Sequence, residues 1–177
     1  MNILVVTGSI SEQSNNRRIA RWFDKHYGER VDLKHLPLVL VPMFNQDIEE
    51  NPPAEVQDMR RLFKEADGVV MIAPEYNHSI PGVLKNLLDW TSRVEPVLKD
   101  KPVFVLGGST GRFGTLRGQI HLTQILNSPG IGAKLFGRQV QVDLVDQKFT
   151  PEGDCTDERM ERSITRAMEA FLASING

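Results

Sequence analysis

Three polar stretches hold the side chains of this chain that could do chemistry. The first reads Thr7-Gly8-Ser9-Ile10-Ser11-Glu12-Gln13-Ser14-Asn15-Asn16-Arg17. It offers hydroxyls, amides and a cluster of backbone N–H groups just ahead of a predicted helix. Donors converging on a helix N-terminus can hold a phosphate without a lysine, because the helix dipole also favours an anion. Ser14 is equally suited to capping that helix. The second stretch, Pro74-Glu75-Tyr76-Asn77-His78-Ser79, could offer turn amides to the carbonyls of a flat ligand. Tyr76 could pack on its apolar edge with the hydroxyl still in water. In the third, Gly107-Gly108-Ser109-Thr110-Gly111-Arg112-Phe113-Gly114, the glycines let backbone come close to a flat ring.

Other chemistries fare worse against the same residues. Neither Walker A nor Gly-x-Gly-x-x-Gly occurs, which argues against a nucleoside triphosphate or a dinucleotide held in the Rossmann manner. Gly107 to Gly111 also fits Gly-x-Ser-x-Gly, the nucleophile elbow of serine hydrolases. That motif needs an acid and then a histidine after the serine. The only later histidine is His121, with no Asp or Glu between it and Ser109. His26, His35, His78 and His121 are scattered without metal-ligand spacing. Cys155 stands among acidic neighbours that raise a thiol pKa, so a catalytic thiol is disfavoured.

The elements that must position these stretches follow from hydrophobic periodicity. Asn2–Thr7 is apolar enough for a strand covered on both faces. A helix is predicted from about Asn16 to Tyr27, a second strand over Val31–Leu36 and a helix over Ala54–Ala66. Gly68–Ala73 and Pro102–Leu106 read as the third and fourth strands. Between them lies a helix with Pro81 in its first turn, where a missing N–H is harmless, ending near Ser92. A helix from about Thr115 to Leu126, a last strand over Val140–Val145 and a closing helix over Glu158–Ile175 complete the chain. The connection from Pro37 to Pro53 is long, which marks it as functional or mobile. Five strands alternating with helices predict an α/β doubly wound parallel sheet with helices on both faces. In the flavodoxin-like order 2-1-3-4-5, the three polar stretches surround the switch point where a ligand should sit.

Residues 1–177 are expected to form a single domain, with 40% hydrophobic and 25% charged residues, as in a soluble globule. A formal net charge of −2 gives no basic footprint, so nucleic acid is not an expected partner. A single cysteine rules out an internal disulfide and suits a reducing compartment. The start, Met1 to Thr7, lacks the basic flank of a signal peptide, and no apolar run approaches a membrane span. A cytoplasmic protein with no membrane partner is expected.

Residues 73–90, Ala-Pro-Glu-Tyr-Asn-His-Ser-Ile-Pro-Gly-Val-Leu-Lys-Asn-Leu-Leu-Asp-Trp, resemble the Pro-Glu-Tyr-Asn-x-Ser-x-Pro-x-x-Leu-Lys-Asn motif of the NADPH-dependent FMN reductase family. Gly8, Ser9, Ser14 and Asn16 resemble that family's Gly-Ser-x-Arg-x-x-Ser-x-Asn loop. The likeness spans nearly the whole chain. It is strongest over residues 73–90 and 109–126 and weakest over 37–53.

The resemblance implies a flavodoxin-like three-layer sandwich and a flavin-dependent oxidoreductase. FMN is the implied cofactor and NADPH or NADH the donor; free flavin, a quinone, an azo compound or another small molecule is the implied acceptor. Ser9, Ser14, Asn15 and Asn16 would bind the phosphate and ribityl chain. Pro74, Glu75, Tyr76 and Asn77 would lie against the flavin ring, with Ser109 and Gly111 from the third loop; apart from the resemblance, Arg112 could meet a nucleotide phosphate or equally stand in solvent. No catalytic side chain and no metal site is implied. A homodimer or homotetramer is implied, with a second subunit closing the site. An FMN-binding electron carrier and a non-catalytic flavin-binding regulator share this fold and are the alternatives.

One departure stands out. The family's usual arginine in the first loop is Ser11 here, with Glu12 beside it. Losing a charge-assisted bond to phosphate predicts weaker FMN binding. Arg17 is the nearby cation that could replace it.

Overall fold

The computed structural model describes residues 1 to 176. Strand β1 (Asn2–Thr7) lies between β2 (Asp32–His35) and β3 (Gly68–Ile72), with β4 (Pro102–Gly108) beyond β3. All these pairings are parallel. The edge position after β4 is filled by two short strands, β5 (Lys134–Leu135) and β6 (Val140–Val142). The order is β2-β1-β3-β4-β5, the flavodoxin-like order expected from the sequence. The helices are α1 (Asn15–Tyr27), α2 (Ala54–Glu65), α3 (Gly82–Ser92), α4 (Leu116–Leu126), the short α5 (Val145–Lys148) and α6 (Glu158–Asn176).

Strand alternation sorts the side chains into two cores. Leu4, Val6, Val69, Met71, Val103 and Val105 point to one face, where α2, α3 and α4 bury Phe63, Leu87, Trp90 and Leu122. Ile3, Val5, Val70, Ile72, Phe104 and Leu106 point to the other, against Phe23 of α1 and Phe171 of α6. Every residue of β3 is buried, as a strand in the middle of a covered parallel sheet requires.

Two expectations about the chain are corrected. The last strand does not run from Val140 to Val145. Leu144 takes a left-handed conformation (φ 46°) and turns the chain into α5, so the pairing stops at Val142. An unexpected piece, Lys134–Leu135, pairs with the start of β4, and the Phe136 N–H extends that ladder to the Val103 carbonyl at 2.8 Å. Two residues are too few for an alternation signal, so periodicity could not show β5.

The connection over residues 37–53 is not an unanchored loop. It forms two 3₁₀ turns, Leu38–Leu40 and Gln46–Ile48. The Asn86 amide of α3 accepts from the Phe44 N–H at 2.7 Å and donates to the Pro42 carbonyl at 2.9 Å. Trp90 Nε1 donates to the same carbonyl at 2.9 Å, and its ring meets Phe44 edge to face at 4.9 Å.

Phe171 ties the divided edge strand to the rest of the sheet, with its ring 5.7 Å from both Phe104 and Phe136. Phe171→Ala is expected to lower stability by about 3–5 kcal/mol, measured by denaturant unfolding. A loss under about 1 kcal/mol would show that β5 does not depend on this cluster.

Candidate active site at the carboxyl edge of the sheet

The three polar stretches emerge side by side, because they follow the neighbouring strands β1, β3 and β4. The ladder continues into them. The Gly8 N–H donates to the Ile72 carbonyl at 2.9 Å, the Ala73 N–H to Leu106 at 2.8 Å and the Ser109 N–H to Val142 at 3.1 Å. Their spacing is then fixed by residues without side chains. A Cβ on Gly8 would stand 3.2 Å from Pro74 Cδ, and one on Gly107 only 2.0 Å from the Ala73 carbonyl oxygen. The second distance forbids any side chain there unless the backbone shifts.

The first loop meets the third through a buried amide. Asn16, 2% exposed, donates through Nδ2 to the Gly108 carbonyl at 3.0 Å, and its Oδ1 accepts from the Gly108 N–H at 2.9 Å. Both ends of that side chain are therefore engaged within the protein. Ser14 is the N-cap of α1, its Oγ accepting from the Asn16 N–H at 3.3 Å. Ser9 is buried, and its Oγ accepts from the Ser11 N–H at 3.2 Å. Asn15 opens α1 and is half-buried. The N–H groups of Ile10, Glu12, Gln13 and Asn15 have no acceptor among the described residues. Free donors at a helix N-terminus suit an anion such as the phosphate of a mononucleotide. The Arg17 guanidinium is tethered to this loop, its Nε donating to the Ser11 carbonyl at 2.9 Å. It lines a cleft of about 320 Å³ together with Thr7, Ser9 and Ile10.

In the second loop the Tyr76 and Ser79 backbones bond to each other in both directions at 3.0 Å, closing a tight turn. Its central residues, Asn77 and His78, have φ of 51° and 63°. Both are types that tolerate the left-handed region better than most. Pro74 is buried, whereas Tyr76, Asn77 and His78 are exposed. The Glu75 side chain is turned toward α4. Its carboxylate accepts from the Gly118 N–H at 2.9 Å, capping the start of α4, with Arg117 3.8 Å away. Gly118 allows this approach, since a Cβ there would lie 3.3 Å from the Glu75 Cβ. His121 Nδ1 lies 3.1 Å from Ser79 Oγ, a second strap between α4 and the turn.

Ser109 and Gly111 lie on the third loop. The Ser109 hydroxyl donates to the Gly111 carbonyl at 3.2 Å. Space above Gly111 is open, since a Cβ there would meet only Ser109 Oγ at 3.7 Å. His121, the only histidine after Ser109, is engaged with Ser79. Cys155 Sγ donates to the Asp157 carbonyl at 3.4 Å, and burial pushes the thiol pKa up.

Asn86, Trp90 and Gly118 were not singled out for what the structure gives them. The first two hold the 37–53 segment, and Gly118 lets Glu75 cap α4. All three belong to the stretches of strongest resemblance, so the signal was present but carried no hint of its use.

The NADPH-dependent FMN reductase family model matches residues 1–147. The chain is 38% identical over 173 residues to the NADH:(hydroxy)cinnamate reductase subunit CrdA of Vibrio ruber, covering 97% of this chain and 86% of that one. It is also 38% identical over 130 residues to the quinone reductase of Escherichia coli K12, covering 71% and 69%. Among solved structures it resembles FerB, a flavoenzyme NAD(P)H:(acceptor) oxidoreductase from Paracoccus denitrificans. There the TM-score is 0.89 and the identity 26%, with 99% and 97% of the two chains covered. On sequence and fold together, the chain belongs to the NADPH-dependent FMN reductase family.

Proposed function

We propose that the carboxyl edge of the sheet holds FMN and that the protein passes electrons from NADPH or NADH to a small acceptor such as a quinone or free flavin. The observation that carries this reading is the first loop, whose unpaired N–H groups stand at the start of α1 beside the tethered Arg17. When bound, FMN supplies the ring that accepts a hydride and gives up electrons. The protein's part is to bind, orient and shield. Ser9, Ser14 and Asn15 hold the phosphate and ribityl end. Asn16 acts one step away, fixing this loop to Gly108. Pro74, Tyr76 and Asn77 border the ring on one side, and Ser109 and Gly111 on another. Glu75 keeps the turn in place by capping α4, and hydride transfer requires no side-chain acid or base.

A second copy of the chain closes the site, in a homodimer or a pair of them. Tyr76, Phe113, Leu116 and Ile120 support this reading, since all four are large and exposed on the turn, the third loop and α4. Apolar side chains grouped in this way mark an interaction surface. The lone cysteine suits the reducing cytoplasm, and among the described residues no helix is long and apolar enough to cross a membrane.

The direct test is to load the protein with FMN without oxygen and follow the visible flavin absorbance on adding NADPH, then NADH. Bleaching by either donor, and its return on adding a quinone, is the expected outcome. A flavin that binds and stays oxidised with both donors would make the protein a carrier or a regulator. Ser9→Asp should weaken FMN binding by roughly 100-fold or more, because it sets a carboxylate against the phosphate. Unchanged affinity in the folded variant would remove the phosphate from this loop. Arg17→Gln should weaken binding about tenfold and flatten its salt dependence, whereas Ser11→Arg should tighten it by about 10–100-fold. Flavin fluorescence titration of the apoprotein reads both. Equal dissociation constants in all three proteins would show that neither position meets the phosphate.

A further inference from the structure

Gln119 of α4 is wholly buried, at a position where a helix facing a core normally carries an apolar chain. Its amide is fully used. Nε2 donates to Thr115 Oγ1 and to the Val140 carbonyl, both at 3.0 Å, and stands 3.4 Å from the Gly114 carbonyl. Oε1 accepts from Gln141 Nε2 at 3.0 Å. One side chain thus joins α4, the end of the third loop and β6.

The corner it holds is an unfavourable one. Gly114 and Thr115 are both left-handed, with φ of 51° and 68°. Glycine adopts that region freely, whereas a β-branched residue there is an outlier. A second glycine would make the same corner without strain. Thr115 supplies a hydroxyl instead, which takes the Gln119 bond and fills the space over Gly107, where a Cβ would stand 2.6 Å from it. Gly107 belongs to the end of β4 from which the loop departs, so the start and the finish of the loop meet at this hydroxyl. Between them, the N–H groups of Thr110, Gly111, Arg112 and Phe113 have no acceptor among the described residues. Strain that neighbouring bonds enforce is a feature of sites where conformation serves function.

We infer that Gln119 is a positioning residue for the flavin. By locking the Gly114–Thr115 corner, it presets this run of backbone donors, and the open backbone at Gly111, for the polar edge of the ring. The inference rests on the reading that FMN occupies the carboxyl edge of the sheet. Gln119 touches no ligand and acts through the third loop alone. The first loop is fastened separately, by Asn16, so its hold on the phosphate does not depend on Gln119.

The test is fluorescence titration of the apoprotein with FMN and with riboflavin, which lacks the phosphate. Gln119→Met keeps the reach of the side chain and removes its polar atoms. It should weaken both flavins about tenfold, leaving the ratio of their affinities at the parent value. Arg17→Gln, by contrast, should lower that ratio. Adding Thr115→Gly to Gln119→Met should restore most of the loss, because glycine keeps a left-handed corner without a tether. Thr115→Val deletes only the hydroxyl and carries the same expectation of an unchanged ratio should Gln119→Met fail to fold. Parent affinity for both flavins in the folded variants, a loss confined to FMN, or no recovery in the double variant would each overturn the inference while FMN still binds the parent. A parent that binds neither flavin would remove the flavin reading itself, and this inference with it.

Discussion

The Asn16 amide is the contact on which the site depends. It spans the first loop and the end of β4, positions 92 residues apart in the chain, and is buried where water cannot stand in for a lost partner. Each of its two bonds leaves an orphaned buried group if broken, at a cost of about 1–3 kcal/mol. The glycines around it make the geometry unforgiving. Gly107 sits so close to the Ala73 carbonyl, and Gly108 to Val145 and Ile19, that the strand ends cannot close up further, while the ladder bonds from the Ala73 and Ser109 N–H groups keep them from drifting apart. Donors of the first loop and backbone of the third are therefore held relative to each other before any ligand arrives. Such preorganisation reduces what binding must spend on ordering loops.

The same economy extends to the second loop. Both central residues of its turn take positive φ, which glycine adopts more easily than His78 does. Here the Tyr76–Ser79 backbone pair closes it, while Glu75 and His121 fasten it to α4. The turn thus inherits the rigidity of a helix rather than the freedom of a surface loop. Arg117 adds to this by lying over the Phe113 ring at 4.7 Å, which links the start of α4 to the third loop.

Sequence patterns made most of the architecture legible because most elements are long enough to show a period. β1 lies over Asn2–Thr7 as its apolar run indicated, and α2 and α3 end within a residue or so of the expected positions. Of the divided edge strand, the piece starting at Val140 was legible; Lys134–Leu135 was not, because two residues are too few to show alternation, nor was the early end, because Leu144 turns the chain by conformation rather than by residue type. In the site, the loops could be found from their composition. Which atoms face a ligand and which face the protein could not. Glu75 and Asn16 carry the polar groups that ligand binding wants, and the fold uses them to join elements distant in sequence. Residue type cannot separate those uses, since a carboxylate caps a helix with the same lone pairs that would accept from a flavin.

That division of labour bears on what a motif means. In residues 73–90, Glu75 secures α4, while Asn86 and Trp90 fasten the segment after β2 through one carbonyl, that of Pro42. A descendant of this chain that had lost all affinity for a nucleotide would still use those three side chains to hold these elements together. Their presence in a sequence is a record of how the scaffold is fastened, and an active and an inert protein could carry it alike. The positions that would tell the two apart are the plainer ones, the serines of the first loop and the arginine leaning on it.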